Sequence, residues 1–199
     1  MNIRSTFYAA LLLVTVVIAA CSSEDKKTSQ VSARAQAAPK SDNPFKFYKN
    51  IEIRPGLSFE AVAWGRGADT VGGYSVYLTD TLHRNYKSIS GERKGLLTGF
   101  WNLDLDTDGN PEIYLQFTKN KNESDLLVYE FDDNEFRKIS FPPLSSKTRS
   151  MYLGNDKFTV RNGDLFRSIP VKGDNGAGNS EMKVQYVLQG NSFSVKDAE

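Results

Sequence analysis

From Asp104 to Glu112 the chain reads Asp-Leu-Asp-Thr-Asp-Gly-Asn-Pro-Glu, with carboxylates at Asp104, Asp106 and Asp108 and a fourth at Glu112. A hard divalent cation such as calcium takes about six to eight oxygen ligands at about 2.3–2.6 Å, and a loop beginning D-x-D-x-D-G wraps three carboxylates round one point. Gly109 lets the backbone turn sharply, Asn110 supplies a backbone carbonyl, and Glu112 is the last ligand. In helix–loop–helix calcium sites a bidentate glutamate closes the sphere at the twelfth position, which here is Leu115. The same residues make an ordinary polar hairpin, because Asp, Asn, Gly and Pro are turn formers and alternate carboxylates need bind nothing. Calcium is thus the expected cofactor, and a bare turn is the competing account.

Groupings that would do covalent chemistry are scarce. The chain has one histidine, His83, so a HExxH zinc site is excluded and a Ser-His-Asp arrangement would hang on that residue alone. There is no G-x-S-x-G elbow, Walker loop or G-x-G-x-x-G. His83 follows a strand in a polar stretch and reads as a solvated loop residue, while the Asp132-Asp133 pair falls in a hairpin turn. No catalytic residue is assigned, and the expectation is a protein that is not an enzyme.

The elements that would hold the aspartate loop are strands. Leu97, Trp101, Leu103 and Leu105 share one strand parity upstream; downstream, Ile113, Leu115 and Phe117 alternate with Tyr114, Gln116 and Thr118. Comparable alternation runs through 59–64, 74–79, 126–131 and 182–188. Asn162-Gly163 is a hairpin signal between 158–160 and 165–169, Gly190-Asn191 marks another turn, and Pro142-Pro143 ends the strand before it. About nine strands with short loops, and little helical periodicity, predict an all-β domain built as an antiparallel β-sandwich or barrel. The polar stretch 118–125 between two patterned strands is either a recognition loop or a solvated hairpin end.

The first residues read as an address. Arg4 gives a short basic region, 7–20 is apolar, and Ala19 and Ala20 precede Cys21, the single cysteine. Residues 1–20 are a secretory signal peptide by this pattern, too short for a confident spanning helix, and Ile18-Ala19-Ala20-Cys21 resembles the bacterial lipobox, in which the cysteine is lipidated. Residues 21–44, rich in Ser, Lys, Gln, Ala and Pro, then form a lipidated tether, and 45–199 the folded domain. Ser22 favours the outer membrane facing the periplasm, with the cell surface as the other destination. The chain has 25 Lys+Arg and 24 Asp+Glu; losing Arg4 with the leader balances them, and nothing points to nucleic acid.

The order Gly72-Gly73-Tyr74-Ser75-Val76-Tyr77-Leu78, then 102–112, then Asn162-Gly163-Asp164-Leu165-Phe166-Arg167-Ser168-Ile169-Pro170-Val171, with Lys183-Val184-Gln185-Tyr186-Val187-Leu188 at the close, resembles the periplasmic inhibitors of invertebrate-type (I-type) lysozyme. The resemblance covers roughly 58–195 and rests on the order of short motifs. It implies a β-sandwich protein that protects peptidoglycan by inserting a loop into the lysozyme's substrate cleft. In that family the loop is rich in Ser and Gly and carries a tyrosine; 119–125 corresponds to it here, where only Ser124 fits, Gly is missing and Tyr129 belongs to the next strand.

The expected partners are therefore an I-type lysozyme, met by Asn122, Glu123, Ser124 and Asp125, and a membrane through the lipid on Cys21. Glu123 and Asp125 are repelled by catalytic carboxylates and so pair with basic residues at the cleft's rim. A homodimer stays open as the assembly. The second expectation is a calcium-stabilised, non-catalytic adhesion or envelope-binding module with no lysozyme target.

Overall fold

A computed structural model describes residues 45–65, 72–93, 95–119, 122–173 and 179–197, all of which belong to one compact unit, Asp42–Glu199. The signal peptide, Cys21 and the tether lie outside the described residues. Among the described residues no helix is long and apolar enough to cross a membrane.

Twelve strands are described: β1 (Phe47–Arg54), β2 (Leu57–Trp64), β3 (Gly73–Asp80), β4 (Asn85–Glu92), β5 (Leu96–Leu103), β6 (Glu112–Thr118), β7 (Ser124–Asp132), β8 (Glu135–Ile139), β9 (Lys157–Arg161), β10 (Asp164–Lys172), β11 (Asn179–Gln189) and β12 (Ser192–Asp197). They form three four-stranded antiparallel sheets, ordered β1-β2-β3-β4, β5-β6-β7-β8 and β12-β11-β10-β9. The all-β antiparallel architecture expected from the alternation is present, with twelve strands where the sequence suggested nine. The extra ones include β1, β4 and β12, edge strands whose alternation is blurred by Tyr, Ser and Lys on the open face.

The middle sheet is covered on both sides. Phe100, Ile113, Leu115 and Phe117 face the first sheet and pack with Phe59, Ala61, Val76 and Leu78. Tyr114, Leu126, Val128 and Ile139 face the third and pack with Leu165, Ile169, Tyr186 and Leu188. Two core layers result, one on each face of the middle sheet, and consecutive residues of β6 are both buried. Each fully buried Phe or Leu in these layers contributes roughly 1.5–3 kcal/mol.

The turns follow their residue types. Asn162 and Gly163 adopt φ 53° and 87° between β9 and β10, and Asp133 and Asn134 adopt 48° and 65° between β7 and β8. Both pairs fit tight two-residue hairpins with positive φ. The parity expected for β5 fails at one point: the register slips between Leu97 and Gly99. Leu97 consequently faces the first core, while Trp101, Leu103 and Leu105 pack on the second. A single extra residue in a strand moves every later side chain to the other face. The one described helix, α1 (Ser146–Met151), begins at Ser145, whose hydroxyl accepts from the Thr148 N–H at 3.0 Å.

Candidate metal centre and the neighbouring loop

The aspartate loop is the β5–β6 connection, at one end of the middle sheet. Gly109 has φ 89° and Thr107 φ 60°, so the backbone turns as the glycine predicts. Asp104 Oδ2 accepts from the Gly109 N–H at 3.2 Å. Asp108 accepts from the Asn110 backbone N–H at 2.8 Å and from its side-chain amide at 3.0 Å. Asn110 thus takes part through its amide groups in closing the turn. Pro111 O accepts from the Phe131 N–H at 3.0 Å, which pins the loop's end to β7.

Asp104, Asp106 and Asp108 each place a carboxylate oxygen within 4.8 Å of the others. A second group meets the same limit: Asp106, Glu112 and Glu130. Glu130 was not legible as a site residue, being far along the chain from the loop. A signal was available, however: its parity is that of Leu126 and Val128, so it is a carboxylate at an inward position of an apolar strand face.

Glu112 is 0% exposed and Glu130 4%. Glu112 Oε2 accepts from the Leu105 N–H at 2.9 Å and from the Tyr114 hydroxyl at 3.5 Å. Its other oxygen, Oε1, is buried without a hydrogen-bond partner among the described residues, as is Asp106 Oδ1. Burial, with the charges of Asp106, Asp104 and Glu130 adding to it, pushes the Glu112 carboxyl up to about 8, against the opposing Leu105 hydrogen bond. Burial also raises Glu130, as do Asp108, Asp106 and Asp132, while Arg137 opposes the shift. Arg137 is itself paired with Asp132 at 2.5 Å and with Asp133 at 3.4 Å. The result is a small, strongly acidic cluster of oxygen donors, the donor type that calcium or magnesium takes.

The loop expected to meet a partner is arranged differently from the expectation. Ser124 and Asp125 belong to β7, paired with Thr118 and Phe117, so only Asn122 and Glu123 of the four lie in the connection. Ser124 is 5% exposed: its N–H donates to Asp156 Oδ1 at 2.9 Å and its hydroxyl to Asp156 O at 3.1 Å. Ser124 therefore braces the fold and does not present its hydroxyl at the surface. Asn122 is exposed at φ 54°, and its carbonyl accepts from the Asn155 N–H at 3.1 Å. Glu123 pairs with Arg149 at 3.7 Å, and Asp125 with Lys119 at 2.7 Å. His83 stands in the β3–β4 turn with its side chain 73% exposed, Nδ1 2.6 Å from Asp80 Oδ2, as a solvated loop histidine should.

No family model matches this chain, and no curated protein sequence matches it. Among solved structures it is similar to a Bombyx mori GH32 beta-fructofuranosidase in complex with sucrose, at 12% identity and a TM-score of 0.33. That match covers 82% of this chain and 39% of the enzyme's, so the chain spans well under half of that protein.

Proposed function

We propose that this chain is a non-catalytic binding module of the bacterial envelope whose β-sheet is stabilised by calcium bound at the β5–β6 loop. The observation that carries this reading is the Glu112 carboxylate, 0% exposed, with Oε1 lacking any partner among the described residues and Asp106 beside it. A buried carboxylate oxygen without a donor is costly, and a cation is the partner that removes the cost for several carboxylates at once. The leader and Cys21 make lipid anchoring at the outer membrane part of the same proposal, with 22–44 as the tether. The test is thermal unfolding with calcium and with chelator. A ligand at about 100 times its Kd stabilises the native state by roughly 2.7 kcal/mol, so calcium should raise Tm by several degrees. Identical melting curves in calcium and chelator would remove the metal from the proposal.

Inhibition of an I-type lysozyme is the rival reading, resting on the order of the sequence motifs. Its support in the loop is narrower than the motifs suggest, because Ser124 is buried and engaged with Asp156. Lysis assays on peptidoglycan with lysozymes of the invertebrate, chicken and goose types separate the two readings. Selective inhibition of the invertebrate type favours the inhibitor, and no inhibition together with calcium-dependent stability favours the module.

A further inference from the structure

We propose that Glu130 completes a buried divalent-cation site with Asp106 and Glu112, so that the ion is held on the inward side of the aspartate loop and ties β7 to the β5–β6 connection. The inference rests on the calcium reading above and says where the ion sits and what it joins.

The two groups of carboxylates share Asp106 but differ in what their oxygens already do. On the outer side, Asp104 accepts from Gly109 and both oxygens of Asp108 accept from Asn110, so these carboxylates are occupied in shaping the turn. Asp106 and Glu112, two members of the inner group, carry the buried carboxylate oxygens, Oδ1 and Oε1, that have no hydrogen-bond partner among the described residues. The demand for a cation is therefore greatest on the inner side.

Register explains how Glu130 arrives there. Glu112 on β6 stands directly opposite Glu130 on β7, and their neighbours in the same row are Leu103 on β5 and Arg137 on β8. Facing like charges destabilise a strand pair, more so when desolvated. Arg137, the cation in that row, forms its ion pairs with Asp132 and Asp133 at the hairpin. A shared metal ion would offset the charge of both glutamates at once. The spacing fits: oxygens within 4.8 Å of one another lie inside the span of about 5 Å between opposite ligands of calcium at about 2.5 Å. The linear motif lacks a twelfth-position glutamate, and the next strand supplies a carboxylate in its place.

The experiment is calcium titration by calorimetry on the full chain, in wild type and in Glu130→Gln, Glu112→Gln and Asp108→Asn. The amides are isosteric, and melting in chelator checks that each variant folds. The expected result is one ion per chain in the wild type, with affinity lowered at least about ten-fold by Glu130→Gln or Glu112→Gln and less by Asp108→Asn. If Glu130→Gln binds as the wild type does while Asp108→Asn loses binding, the ion belongs to the outer loop and this inference fails while the calcium reading stands. If the wild type takes up no calcium, both fail.

Discussion

Arg167 donates from Nε to Asp156 Oδ2 at 2.7 Å, with the two side chains 3% and 0% exposed. The pair is saturated with further bonds. Asp156 also accepts from the Ser124 N–H at 2.9 Å and from the Tyr152 hydroxyl, while Arg167 donates to Ser124 O at 2.8 Å and lies 4.9 Å from the centre of the Phe158 ring. One buried ion pair thereby joins the start of β7, the turn before β9 and the middle of β10.

Removing one partner leaves the other charge buried and alone, which costs about 3–5 kcal/mol. Asp156→Ala and Arg167→Met should each lower Tm by roughly 10 °C, given about 2–4 °C per kcal/mol for a domain of this size. The double variant should lose less than the sum of the singles. Denaturant unfolding of the four proteins measures the coupling, and single losses below about 1 kcal/mol would show that the pair does not hold these strands.

Stability in chelator should fall as pH rises from 4.5 towards 8. The Glu112 carboxyl titrates from its ordinary 4.5 to about 8 in the fold, raised by burial first and by neighbouring carboxylates second. In that window the native state keeps a proton that the unfolded chain has released, so each rise in pH favours unfolding. Below 4.5 both states are protonated and the effect vanishes. Glu112→Gln should flatten the slope and make the cation-free protein more stable at pH 8 than the wild type. Urea midpoints taken across the range test this, and a wild-type slope of the opposite sign, or one unchanged in the variant, would contradict the burial argument.

Ser124 and Glu123 are neighbours with opposite expected behaviour. Ser124→Ala deletes a buried hydroxyl bonded to Asp156 O and should cost about 0.5–1.5 kcal/mol. Glu123→Ala breaks only a 3.7 Å pair with Arg149, whose side chain is 55% exposed, so its cost should lie within about 1 kcal/mol and shrink in salt. Chemical denaturation at two ionic strengths distinguishes them. A larger loss for Glu123→Ala would mean that this loop's acidic residue, and not Ser124, braces β7.

Strand parity was the most legible feature of the sequence. Val184, Tyr186 and Leu188 are buried as their alternation requires, and Asn162-Gly163 makes its hairpin. The stacking of three sheets was not legible, because which faces pack together depends on residues far apart in the chain. The bulge after Leu97 left one trace, Gly99 inside a strand pattern, which marks an irregularity without fixing its register; the slip reverses the face of Leu97 relative to Trp101. The aspartate turn was read from spacing alone, since its carboxylates are close together in the chain. Glu130 and the Arg167–Asp156 pair required the cross-strand register. Each nonetheless leaves a local trace, Glu130 beside Val128 and Arg167 between Leu165 and Ile169, as a charge at a buried parity position.

The loop at Asn122 and Glu123 is held before any partner arrives. The Asn122 carbonyl accepts from Asn155, its side-chain amide donates to Asn155 Oδ1 at 2.8 Å, and the Lys119 N–H donates to Glu123 O at 2.8 Å. A surface already fixed loses little conformational entropy on binding, so a partner docking here should gain affinity from few contacts. If the partner is an I-type lysozyme, Asn122→Ala and Glu123→Ala should each weaken inhibition. Glu123→Ala should leave Tm nearly unchanged, whereas Asn122→Ala should also lower Tm modestly, because it removes the bond to Asn155 Oδ1 and puts alanine, which tolerates positive φ less well than asparagine, at φ 54°. Loss of the Glu123 charge should act mainly on the association rate and its salt dependence. Association kinetics at low and high salt, run beside the lysis assay, check this. Inhibition that survives both substitutions would place the contact elsewhere on the domain and leave this loop a structural brace between β6 and β7.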